Sequence, residues 1–215
     1  MRPMSPVLLI FDLDGTLIDS RRDLAAAVNL MRGHFHLDPL PVDIVSGYVG
    51  DGVRALVKRA TRESPGIDLD EALRIQRQFY REHLHDETVL YPGVREGLEA
   101  LHARGHQLVV ATNKPAEFSE IVLKHFGIRH LFAHVAGDGN VERLKPDPAM
   151  ITAAMRSLGF DAARTWVIGD NHTDLEAARR AGARSVFVTY GIGTTGKEKP
   201  DVTCATFAEM VALFS

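Results

Sequence analysis

The stretch 7–20, VLLIFDLDGTLIDS, decides the fold. Val7 to Phe11 form an uninterrupted apolar run, the pattern of a strand buried on both faces of a parallel sheet. The run ends in two carboxylates one residue apart, Asp12 and Asp14, and then Gly15, where the chain can turn. In an open sheet covered by helices on both sides, ligands bind outside the carboxyl ends of the strands. The two aspartates stand at such an end.

Working outward, short apolar runs alternate with helical periodicity from about residue 92: QLVVAT, HVAG, TWVIGD and SVFVTY. That is the rhythm of parallel βαβ units. Gly105, Gly127, Gly159 and Gly182 each follow a helical run, where a left-handed C-cap is expected. Between Ser20 and Tyr91 no strand pattern stands out, and 20–35, 50–63 and 69–87 read as helices. The first of these starts at Ser20 with Asp23 three residues on, an approximate capping box, and carries Leu24, Val28, Met31 and Phe35 as an apolar stripe. YPGV at 91–94 marks the return to the main unit, with Pro92 suited to a first helical turn. The expectation is an α/β fold: a doubly wound, Rossmann-like parallel core (1–17 and 91–215) with an inserted, smaller α-helical cap (18–90).

Composition narrows the function classes. A chain of 215 residues, 45% of them hydrophobic, has enough apolar surface for one large domain or a domain with an insertion. No apolar run approaches the roughly 20 residues that cross a bilayer, and the opening MRPMSP lacks the apolar centre of an export signal, so a cytoplasmic protein with no membrane partner is expected. A formal charge of -3 without a basic block argues against nucleic acid. The single cysteine, Cys204, excludes an intramolecular disulfide and reads as core filler. The histidines of HFH (34–36) and HLH (83–85) are two apart, a spacing that does not share a helix face, and His172 reads as a helix-start residue. GIGTTG (191–196) lacks the lysine of a phosphate-binding Walker loop and reads as a mobile connection near the site.

The remaining strand ends are polar too. Thr112 and Asn113 follow QLVVA, Lys145 lies in ERLKPDP, and Asp170 and Asp174 follow TWVIG. Each has a structural reading by itself: Asp170 or Asp174 as a helix cap, Lys145 as a solvated lysine. Together they bring up to four carboxylates into one crevice, where two unit charges at about 4 Å repel by ~4 kcal/mol at an effective dielectric near 20. A hard divalent cation with oxygen ligands answers that cost, and Mg²⁺ favours a few carboxylates plus phosphate oxygens. Lys145, the Thr112 hydroxyl and the amides of the loop beginning at Leu13 suit an anion. The set describes a phosphoryl site in which one carboxylate attacks phosphorus while the other exchanges protons with the leaving oxygen and with water.

At these residues the sequence resembles the haloacid dehalogenase superfamily, specifically its phosphatases with a helical cap. DxDxT stands as Asp12, Asp14 and Thr16; the second motif as Thr112 in VVATNKP; the third as Lys145 in LKPDP; and GDxxxD as Gly169, Asp170 and Asp174. The resemblance implies Asp12 as nucleophile and Asp14 as acid/base, with Mg²⁺ held by Asp12, the Asp14 main-chain carbonyl and Asp170, and Asp174 in or near its outer shell. It also implies that Thr112, Asn113 and Lys145 hold the phosphoryl group. GDNHTD departs from relatives that often carry Ser after the first Asp. FDLDGTLIDS, GYVGDGVRALVKRA and YPGV are most similar to the phosphoglycolate phosphatases, which hydrolyse 2-phosphoglycolate to glycolate and phosphate. In such relatives the cap loop, here Gly50, Asp51 and Gly52, closes over the crevice; a plain helix start capped by Asp51 explains it equally.

The implied partner is a small phosphorylated metabolite, and the chain is expected to be a monomer or homodimer. Alternatives are a phosphatase for another small ester or pyrophosphate, a phosphomutase resembling β-phosphoglucomutase, and a non-enzymatic receiver-like phospho-aspartate switch. A haloacid dehalogenase proper would need no metal and would leave Asp14 out of place.

Overall fold

The computed structural model describes residues 5–215; residues 1–4, part of the stretch read as lacking an export signal, lie outside it. The apolar run forms strand β1 (Leu8–Phe11), every residue of it buried. Side chains alternate across a strand, so β1 feeds two cores. Leu9 and Phe11 join a cluster with Leu98, Val122 and Phe207, whereas Leu8 and Ile10 join one with Val109, Ile151 and Ala177.

These two clusters cover the faces of a six-stranded, wholly parallel sheet ordered β5-β4-β1-β6-β7-β8. Its other strands are β4 (Gln107–Pro115), β5 (His134–Asp138), β6 (Thr165–Gly169), β7 (Arg184–Val188) and β8 (Val202–Cys204). Helices α5 (Val94–Ala103), α6 (Ala116–His125) and α9 (Phe207–Ala212) pack on one face, and α7 (Ala149–Leu158) and α8 (His172–Ala181) on the other. The doubly wound core is thus as expected, except that β8, three residues long, was too short to show a period. Gly159 and Gly182 adopt the left-handed C-caps read from the sequence. Cys204 is buried among apolar neighbours.

The chain builds outward from β1 through β4 to β5, then returns to β6 on the opposite side. The strand order reverses at β1, so the crevice between the diverging loops opens at its carboxyl end.

Between β1 and β4 lie α1 (Arg21–His34), α2 (Val42–Ser46), α3 (Val53–Ala60) and α4 (Leu69–Glu82), with a separate apolar cluster of Val28, Met31, Val45, Val57 and Ile75. Five local expectations change, the first being that the helix read at 50–63 spans only Val53–Ala60. Ser20 makes no side-chain cap; its hydroxyl turns to Asp14, and Asp23 accepts instead from the Glu87 and Thr88 amides and the Thr88 hydroxyl. The third predicted helix ends at Glu82 rather than 87, with His83 as a C-cap that leaves helical geometry at φ -128° and ψ 35°. A two-stranded antiparallel ribbon of β2 (Ile18–Asp19) and β3 (Val89–Leu90) closes the insertion where no strand was read. Pro92 precedes helix α5, whose N-cap is Gly93, instead of opening it. Among the described residues no helix is long and apolar enough to cross a membrane.

Candidate active site

β1 stops at Phe11, so Asp12 and Asp14 leave the strand and their carboxylates meet different partners. Asp12 turns toward the loop after β6: carboxylate oxygens of Asp12, Asp170 and Asp174 lie within 4.8 Å of one another, all three residues buried. Asp14 faces the cap side, accepting from Ser20 Oγ at 2.5 Å and Lys114 Nζ at 2.9 Å.

Each carboxylate is held by the chain. Asp170 accepts from Thr16 Oγ1 at 3.2 Å and from the Ile192 and Gly193 amides at 2.7 and 2.8 Å, so the GIGTTG loop anchors a site carboxylate. Asn171 is the N-cap of α8, and Asp174 closes a capping box by accepting from the Asn171 amide. Asn171, the residue by which GDNHTD departs, therefore serves the helix start. Gly15 has φ +86, and a Cβ there would stand 2.2 Å from Asp170 Oδ2. Only glycine lets the DxDxT loop pass so near that carboxylate.

Lys145 Nζ lies 2.5 Å from Asp174 Oδ1 and 3.0 Å from Asp12 Oδ1, with its side chain 1% exposed. Burial opposes its charge, but Asp12 and Asp174 outweigh that and hold its pKa above the ordinary lysine range. Burial, reinforced by Asp12, pushes Asp170 up to about 6. Burial also pushes Asp174 up to about 7, with Lys145 opposing and Asp12 and Asp170 adding.

Thr112 is buried in the crevice, its hydroxyl accepting from the Lys114 amide. The Asn113 side chain, expected on phosphate, is hydrogen-bonded to the chain itself. Its Nδ2 donates to the carbonyls of Gly50 and Lys145, and its Oδ1 accepts from the Lys145 amide. That side chain is a brace tying cap loop, β4 and the Lys145 loop together. Gly50 and Gly52 do line the cavity between cap and core. Asp51 pairs with Arg59, and the N-cap of α3 is Gly52, so Asp51 does not cap the helix.

Two residues escaped the sequence reading. Lys114, its side chain 2% exposed, pairs with Asp14 and donates to the Tyr80 hydroxyl from helix α4. A signal was available, because Lys114 stands two residues after Thr112 in the same polar strand end, VVATNKP. Tyr80 carried no such signal, since α4 meets the crevice only through the tertiary fold. Its burial pushes the phenol up to about 12.

The donor set fits a divalent cation. Four carboxylates (Asp12, Asp14, Asp170, Asp174) face two ammonium groups (Lys114, Lys145), which leaves two negative charges when all are ionised. Asp12 Oδ1 is buried and paired with Lys145 only by charge, outside hydrogen-bond geometry, so its lone pairs remain open to a metal.

The family model of the haloacid dehalogenase-like hydrolases matches residues 9–188. A phosphoglycolate phosphatase of Chromobacterium violaceum is 37% identical over 94% of this chain and 94% of its own length. One of Pasteurella multocida is 36% identical over 96% and 97%. A crystal structure of a predicted phosphoglycolate phosphatase from Haemophilus somnus superposes with a TM-score of 0.93 at 32% identity, covering 98% of both chains. With the four motifs gathered at the switch point of the sheet and these likenesses spanning nearly the whole chain, the protein belongs to the haloacid dehalogenase-like hydrolase family and is a phosphoric monoester hydrolase.

Proposed function

We propose that the protein is a Mg²⁺-dependent phosphatase that hydrolyses a small phosphate monoester, 2-phosphoglycolate, through an aspartyl-phosphate on Asp12. We assign residues 1–17 and 91–215 to the catalytic core and 18–90 to the cap. The observation that carries the reading is the separation of the two carboxylates. Asp12 sits in the anionic cluster with an unbonded oxygen, whereas Asp14 sits on the cap side, toward which the leaving alcohol would lie.

An Asp12 carboxylate oxygen attacks phosphorus, the bond from phosphorus to the ester oxygen breaks, and Asp14 gives its proton to that oxygen. Water then attacks the phosphorus of the acyl phosphate, its proton passes to Asp14, and phosphate leaves as the Asp12 carboxylate is restored. Lys145 and Thr112 hold phosphoryl oxygens, and the Asn113 brace sets the Lys145 loop. Asp12, the Asp14 main-chain carbonyl and Asp170 would hold Mg²⁺, with Asp174 orienting Lys145; when bound, the ion neutralises phosphoryl charge and draws the reacting groups together. Closure of the cap over the cavity excludes bulk water during the first transfer.

The test is phosphate release, with and without Mg²⁺, from 2-phosphoglycolate, sugar phosphates, pyrophosphate and nucleotides, beside Asp12→Asn. Release from 2-phosphoglycolate above all others, abolished in Asp12→Asn and by chelation, is expected. A different preferred ester would overturn the substrate, and full activity of Asp12→Asn would overturn the chemistry.

A further inference from the structure

Gln76, on α4, is 0% exposed, and neither its Nε2 nor its Oε1 has a hydrogen-bond partner. A buried amide left unmet at both ends is costly and rare in native proteins, and this one lines the cavity between cap and core. Tyr80 follows four residues later on the same helix face and lines the same cavity. Its hydroxyl oxygen accepts from Lys114, which leaves its own hydrogen free to donate. Lys114 is the only cationic side chain among the lining residues. Three donors thus line the pocket that Asp14 also lines, while Leu24, Val53, Leu56 and Phe118 add apolar surface to it.

We propose that Gln76, Tyr80 and Lys114 form the subsite for a carboxylate on the leaving alcohol, with Gln76 as a specificity-determining residue. The proposal rests on the phosphatase reading above and names the groups that choose its substrate. A carboxylate oxygen accepts from Gln76 Nε2 and from the Tyr80 hydroxyl, and the Lys114 ammonium supplies the charge that such a group needs on leaving water. Gln76 Oε1 stays available to a water or hydroxyl. A neutral alkyl group would leave the amide unmet. Size points the same way, because the cavity holds about 50 Å³, whereas one water needs roughly 10–15 Å³. A short acid enters; a sugar requires the cap to stand open.

The test compares kcat/KM for 2-phosphoglycolate with that for its neutral alkyl counterpart, ethyl phosphate, in the natural protein, Gln76→Met and Tyr80→Phe. Removing one hydrogen bond to a charged group is expected to lower the ratio of the two values about tenfold or more in Gln76→Met. Its Tm is expected to stay level or rise, since an unmet buried amide has been replaced by an apolar chain of similar length. A ratio unchanged within twofold, or an equal loss on both esters with a lowered Tm, would make Gln76 a structural residue and overturn the proposal. Should Gln76→Met not fold, Tyr80→Phe decides by the same ratio. If the natural protein prefers an ester without a carboxylate, the substrate reading falls and this inference with it. Failure of the ratio alone leaves that reading standing.

Discussion

Asp12 and Asp14 are separated by one residue and by their surroundings: one carboxylate lies in a buried anionic cluster, the other between a serine and an ammonium group. Asp12→Asn is therefore expected to lose at least about 10³-fold in kcat, together with covalent labelling by a slow substrate; retained labelling would remove Asp12 from its role. Asp170 supplies a pH-dependent outcome. Its folded pKa of about 6 stands above the ordinary 3.8, so its contribution to stability is complete below about 3.8 and is lost as pH rises through about 6. Metal-free protein is thus expected to lose up to roughly 3 kcal/mol on this account between pH 4 and 7. Mg²⁺ favours the ionised carboxylate, so the rise in Tm on adding it should be larger at pH 7 than at pH 5. An equal rise at both values would show that Asp170 does not sense the ion. At this scale the sequence revealed the motif aspartates, Thr112 and Lys145, because chemistry concentrated at strand ends is visible in order and spacing. Asn113 as a brace, Asp51 on Arg59, and Gln76 beside Tyr80 were not visible, because each depends on which element packs opposite it.

Among the elements, the contact between α1 and the exit of α4 has the clearest energetic consequence. Asp23 is 2% exposed and accepts from the Glu87 amide at 3.0 Å, the Thr88 amide at 2.8 Å and the Thr88 hydroxyl at 2.6 Å. It fixes the chain just before ribbon strand β3. Replacing Asp23 by Ala would leave these donors unmet, and a loss of about 2–4 kcal/mol in urea unfolding is expected; a loss below about 1 kcal/mol would show that water replaces the carboxylate. By contrast, Arg81–Glu117, which also joins α4 to the core, is more than half exposed on both sides. Breaking it is expected to change stability by no more than about 1 kcal/mol. Asp23 was read as a capping residue because Ser20 precedes it by three positions. That local pattern lost to two partners some 65 residues away, which spacing cannot reveal.

For the whole molecule, His106 joins the two ends of the described chain. Its Nδ1 accepts from the Val7 amide at 3.2 Å, and its Nε2 donates to the Phe214 carbonyl at 3.1 Å, with the residue 2% exposed. His106→Leu is expected to cost about 2–3 kcal/mol in denaturant unfolding through two unmet backbone groups; an unchanged midpoint would show that the ends hold without it. The alternation of helix and apolar run made the parallel core legible, and the absence of a strand period made the helical insertion legible. The short β2, β3 and β8 escaped because two or three residues cannot establish a period. That insertion has a consequence for how the chain is made. The central strand is the first to leave the ribosome, yet Leu8 must find Gln107 on one side and Thr165 on the other. Closing loops of that length is slow, and contacts of high sequence separation delay folding. The Ile18–Leu90 pairing of the ribbon shortens the first search by stitching both ends of the insertion together. The nascent protein is thus expected to fold its helical cap early and to carry β1 as an unpaired apolar edge until the second half of the chain has been synthesised.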